Sequence, residues 1–121
     1  MNEKLKVCPI RYTLGVIGGK WKLPIICLLA CDTPMRYGAI KKKLGDITNM
    51  MLSQSLKELE ANGMVNRKQY NVIPPKVEYS LTNEAKELLG ALTMFAKWGN
   101  DQIDKNENNI TSGCEECQSS C

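Results

Sequence analysis

Histidine is absent from this 121-residue chain. That removes the commonest general base, the usual nucleophilic triads and every histidine-bearing zinc site. No catalytic pair and no glycine-rich phosphate cradle stands in for it, so the chain is not expected to be an enzyme, and no cofactor is expected. No apolar run approaches the roughly 20 residues that a membrane span needs, so no membrane partner is expected. The opening "MNEKLKVCPI" lacks the apolar stretch and cleavage site of a secretory signal. The expected location is therefore cytoplasmic, and the six cysteines are expected to be reduced thiols rather than a disulfide framework.

What is present suits one soluble domain with one core: 43% apolar and 24% charged residues. The net charge of +3 is mild, but it is unevenly spread. From Arg36 to Lys76 there are eight Lys/Arg and three Asp/Glu; from Val77 onward there are three Lys/Arg and eight Asp/Glu. A basic middle beside an acidic end suggests that the middle meets a polyanion.

Pro9, with Cys8 before it, reads as the start of a helix that stops at Gly18-Gly19. "KWKLPIICLLA" (20–30) is apolar nearly all round and reads as a buried central helix. Met35 to Leu44 reads as a short helix ended by Gly45. Thr48 is a good N-cap for a helix over Asn49 to Asn62, with Gly63 as its stop. Leu52, Leu56 and Leu59 fall at i, i+4, i+7 and form its core stripe. "MVNRKQY" and "KVEYSL", with "NVIPP" between them, read as a hairpin. Thr82 caps a last helix of about 22 residues, a length that fits an amphipathic helix of several turns. Its stripe of Ala85, Leu88, Leu92, Phe95 and Gly99 offers more apolar surface than one core needs.

The order is therefore three helices, a tight turn, a helix, a hairpin and a final helix. The expected class is α+β, mostly α: a winged helix-turn-helix with extra N- and C-terminal helices forming a dimer interface. Residues 1–104 make the DNA-binding and dimerisation domain, and 105–121 a polar, cysteine-containing tail without fixed structure.

A helix pinned by one apolar stripe can present its opposite face to the major groove. Here that face holds Met50, Gln54, Lys57 and Ala61, with Ser53 beside it. Gln54 suits adenine edges, Lys57 guanine edges or phosphate, and Met50 a thymine methyl. The helix N-terminus at Thr48 and Asn49 suits a phosphate. Arg36, Lys41, Lys42 and Lys43 flank the site on the preceding helix, and Arg67, Lys68 and Lys76 arm the wing. Solvation alone would explain a few of these charges; their coincidence with a hairpin favours double-stranded DNA. The rival reading is a winged helix used for protein–protein contact without DNA.

"CPIRYTLGVIGGKWKLPIICLL", "MRYGAIKKKL", "ITNMMLSQSLKELEANGMVNR" and "PPKVEYSLTNEAKELL…W", in this order, resemble the HxlR-type winged helix-turn-helix transcriptional regulators, relatives of the MarR group. The resemblance runs from Cys8 to about Trp98. It implies a transcriptional regulator, most simply a repressor, acting as a homodimer on a pseudo-palindromic operator. It also implies a seam built by the first and last helices, for which Tyr12, Leu14, Leu88, Leu92, Phe95 and Trp98 are the candidates. Ala85 stands where the family usually has glycine, and Met50 where a polar residue is common.

Cys8 precedes Pro9 at a helix start, with Lys4, Lys6 and Arg11 near in sequence; dipole and cations both favour a thiolate. The resemblance implies, for a cysteine at this position, a thiol that answers small electrophiles or oxidants. An ordinary cysteine at a helix start is the alternative. Cys27 and Cys31 lie i, i+4 on one helix, a poor geometry for a disulfide with each other. Cys114, Cys117 and Cys121 form a CxxC plus a third thiol. They are candidates for a soft metal or a disulfide, although zinc wants a fourth ligand.

Overall fold

The computed structural model describes residues 6–106. Cys114, Cys117, Cys121 and the expected tail beyond Asn106 lie outside the described residues, as does Lys4. Helix α1 (Pro9–Ile17) starts at a proline, whose missing N–H falls where no intrahelical partner exists. Helix α2 (Lys22–Cys31) follows a short turn through Gly18 and Gly19. Ile25, Ile26, Leu28 and Leu29 are all buried, on more than one side, so α2 is the central helix that the sequence suggests.

The segment from Met35 to Leu44 is not one helix. Met35–Arg36 form a short strand, β1, and the helix α3 is confined to Tyr37–Leu44. After the turn at Gly45 come α4 (Asn49–Ala61), β2 (Val65–Tyr70) and β3 (Lys76–Leu81). Both β1 and β2 pair antiparallel with β3, giving a three-stranded sheet in the order β1-β3-β2. The expected hairpin is present, with Tyr79 and Leu81 buried and Val77 half-buried. β1 was hidden from the sequence because two residues carry no period; only the pairing of Met35 with Tyr79 and Arg36 with Glu78 defines it.

The expected single last helix is interrupted at Leu88. α5 covers Asn83–Glu87 and α6 covers Leu89–Lys105. At the join the Leu88 N–H bonds the Ala85 carbonyl at 3.1 Å, a tighter i−3 turn. The apolar stripe stays in phase across it, so periodicity does not register the break. α6 also runs one residue beyond the expected boundary at 104.

One core joins the helices to the sheet. Ile25, Ile40, Leu52, Leu59 and Ala85 are wholly inaccessible in it. Burying each large aliphatic contributes about 1.5–3 kcal/mol, so a leucine from α4 is anchored firmly. Thr82 fastens the sheet to the end of α4. Its Oγ1 donates to the Gly63 carbonyl at 2.6 Å and accepts the Ala85 N–H at 3.1 Å. Gly63, at φ +72°, makes the reversal that a side chain would strain. The hairpin is thus held at a fixed attitude to α4.

Candidate nucleic-acid interface

Thr48 caps α4: its Oγ1 accepts the Met51 N–H at 3.1 Å. Leu52, Leu56 and Leu59 are 0%, 2% and 0% exposed and hold the helix from behind. The opposite face is open. Met50 is 78% exposed, and Gln54, Lys57 and Ala61 are also exposed, with Ser53 half-buried beside them. Thr48 and Asn49 stand exposed at the N-terminal end. These residues share one surface, as the helical spacing requires.

Gln54 is not a loose side chain. Its Nε2 donates to Glu58 Oε1 at 3.2 Å, and Glu58 Oε2 meets Lys22 Nζ at 2.8 Å. The Lys22 ammonium, and then the Gln54 amide, hold the Glu58 carboxyl below its ordinary value. A chain of three side chains therefore links the start of α2 to the outer face of α4.

A second brace comes from α3. Tyr37 Oη donates to the Asn49 carbonyl at 3.0 Å, with Asn49 Oδ1 at 3.2 Å and Ser53 Oγ also at 3.2 Å. The Tyr37 ring packs against the core. Sequence reasoning missed Tyr37, Lys22 and Glu58. Glu58 had a local signal, four residues after Gln54. Tyr37 and Lys22 had none, since their partners lie 12 to 36 residues away.

Lys57 and Arg67 line one cleft of about 380 Å³ between α4 and the sheet, together with Tyr37, Ser53, Glu60 and Tyr79. The cation of the reading helix and the first cation of β2 are thus brought together. Lys68 is exposed, with its Nζ 4.9 Å from the centre of the Tyr70 ring. Lys76 is more constrained than expected. It forms an ion pair with Glu78 at 2.9 Å and lies 4.9 Å from the same ring, while Tyr70 donates to Glu78 at 3.1 Å. The Lys76 contact, above all, keeps the Glu78 carboxyl below its ordinary value.

Arg36 belongs to β1, opposite Glu78, and not to the helix on which the sequence placed it. Lys41, Lys42 and Lys43 occupy the last turn of α3, where cations also suit the negative end of the helix. Among the described residues, no group of three or more His, Cys, Asp or Glu is arranged to hold a metal ion.

The seam candidates divide. Tyr12, Leu14, Phe95 and Trp98 are exposed, at 64%, 51%, 61% and 68%. Leu88 is half-buried and Leu92 belongs to the chain's own core. Leu92 is therefore the floor of a groove between α1 and α6 rather than its rim. That groove, of about 230 Å³, is walled by Ile10, Leu14, Leu88 and Phe95. Cys8 is an exposed thiol beside Pro9 at the groove's edge, and its side chain makes no capping bond. Cys31 is disulfide-bonded, which departs from the expectation of reduced thiols throughout. Cys27 retains its thiol, so the two are not joined to each other.

The HxlR-like helix-turn-helix family model matches residues 16–107. An uncharacterized HTH-type transcriptional regulator of Halalkalibacterium halodurans is 54% identical over 107 residues, 88% of this chain and 91% of that protein. Among solved structures, the HTH-type transcriptional regulator YtcD, known from Bacillus subtilis, aligns with a TM-score of 0.78 at 43% identity, over 81% of this chain and 99% of that one. The redox regulator HypR in its reduced form aligns with a TM-score of 0.77 at 38% identity, over 81% and 96% of the two chains.

Proposed function

The chain belongs to the HxlR-like helix-turn-helix family, and from that premise we propose that it is a DNA-binding transcriptional regulator reading double-stranded DNA through α4. The observation that carries this reading is the exposed row of Met50, Gln54 and Lys57, held from behind by three buried leucines. A helix so held fits the major groove, while phosphate contacts supply most of the affinity. The wing supplies the latter from Arg67 and Lys68, with Lys76 contributing less. The rival protein–protein reading is disfavoured by the cations that converge on the cleft beside α4. No catalytic role is proposed, and the proposed site of action is the cytoplasm.

The protein acts as a homodimer on a pseudo-palindromic operator, and as a repressor. The support is physical: one winged helix covers few base pairs, and a two-fold pair doubles the contact. The exposed Ile10, Leu14 and Phe95 flank a single apolar groove, and Trp98 is a further exposed aromatic on α6. An apolar surface of this kind is what an isologous seam buries.

The effector is a small electrophile or oxidant acting at Cys8. An exposed thiol at a helix start, beside the groove of the seam, supports it, as does the likeness to the redox regulator HypR. Modification at that edge would alter the spacing of the two reading helices. DNase footprinting of the full chain on the DNA flanking its gene tests the main reading; a protected site with two-fold related halves is the expected result, and no protection would refute it.

A further inference from the structure

The three contacts of the Tyr37 hydroxyl can be assigned by counting protons. A phenol owns one O–H and otherwise accepts. The Asn49 carbonyl, 3.0 Å away, and Asn49 Oδ1, 3.2 Å away, are acceptors only. The phenol proton therefore goes to Asn49. Either atom could donate in the contact with Ser53 Oγ at 3.2 Å, but the phenol proton is already committed. Ser53 must be the donor.

This assignment fixes what each residue has left. The Ser53 proton is held inward by Tyr37, so toward the groove its oxygen offers lone pairs alone. Tyr37 itself cannot drift, because its ring packs against the core.

We infer that Tyr37 is a specificity-determining positioning residue: it sets the hydrogen-bond polarity of Ser53 on the reading helix α4. Ser53 becomes an acceptor, suited to base-edge donors such as adenine N6 or cytosine N4. A serine free to rotate would serve donors and acceptors alike and would discriminate poorly. The inference rests on α4 being the reading helix.

The test is selection of the full chain on a pool of randomised duplex DNA, read base by base, for wild type, Tyr37→Phe, Ser53→Ala and the double variant. Ser53→Ala is expected to flatten the preference at one position of each half-site. Tyr37→Phe should flatten that same position, from about tenfold discrimination to under about twofold. Preferences elsewhere, non-specific affinity and the far-UV circular dichroism of the folded chain should hold, and the double variant should add nothing. A merely structural hydroxyl would lower affinity evenly at all positions, and that result overturns the inference. So does a Tyr37→Phe profile identical to wild type, or a Ser53→Ala profile without change. In the last two cases a wild type that still selects a sequence, and loses it with Lys57→Ala, leaves the reading helix standing. A wild type that selects no sequence at all removes both.

Discussion

Lys22 Nζ and Glu58 Oε2, 2.8 Å apart, join the first turn of α2 to the outer half of α4. A lysine at a helix start is unfavourably placed toward the helix dipole, and Glu58 offsets that. The same carboxylate holds Gln54 by its other oxygen. The pair ties the central helix of the core to a side chain of the reading face.

Replacing Glu58 with glutamine should leave the fold intact and loosen Gln54, lowering operator affinity less than Gln54→Ala does. The pH dependence follows from a carboxyl held below its ordinary value of 4.5, first by Lys22 and then by Gln54. A depressed value means that the pair stabilises fully above the unfolded-state value and is lost as pH falls through the folded-state one. Melting temperatures of wild type and Glu58→Gln should therefore differ between pH 6 and 8 and converge in acid. Curves that diverge on acidification would refute the assignment.

The wing cations should prove unequal. Arg67→Ala and Lys68→Ala should weaken binding across all sequences, each reducing the slope of log K against log salt by about 0.9. Lys76→Ala should do less, since Glu78 already neutralises that ammonium at 2.9 Å. Fluorescence anisotropy across a salt series measures the slopes. An effect of Lys76→Ala equal to that of Arg67→Ala would show that its ion pair opens on DNA.

Phe95→Asp places a charge on the rim of the α1–α6 groove, where Phe95 is 61% exposed. The chain should stay folded by circular dichroism, sediment as a monomer and lose affinity for a two-half-site operator. Retention of the dimer would place the seam elsewhere.

Diamide or methylglyoxal should change the operator affinity of wild type and leave Cys8→Ser unchanged. An equal response from both would remove Cys8 from regulation.

Much of this architecture is readable in the chain itself. Leu52, Leu56 and Leu59 announce the buried side of α4, and Thr48 and Gly63 mark its ends, because caps and stripes are local. The outward Gln54 and Lys57 follow from the same arithmetic. What was not readable depends on partners distant in sequence. β1 is two residues that become a strand only against β3. Arg36 moves off the preceding helix for that reason. Lys76 is a different case: Glu78, two residues on along the same face of β3, tempers it, and strand alternation alone makes that pair visible. Tyr37 and Lys22 brace the reading face through contacts 12 to 36 residues away that no periodicity encodes.

The most direct measurement is operator binding by Lys57→Ala and Gln54→Ala, compared with wild type by gel shift on the DNA flanking the gene. Both side chains are exposed, so each variant should keep its melting temperature and its oligomeric state. Each should lose about tenfold or more in affinity for the operator. Unchanged shifts in both variants, with wild type bound, would mean that α4 does not read the groove.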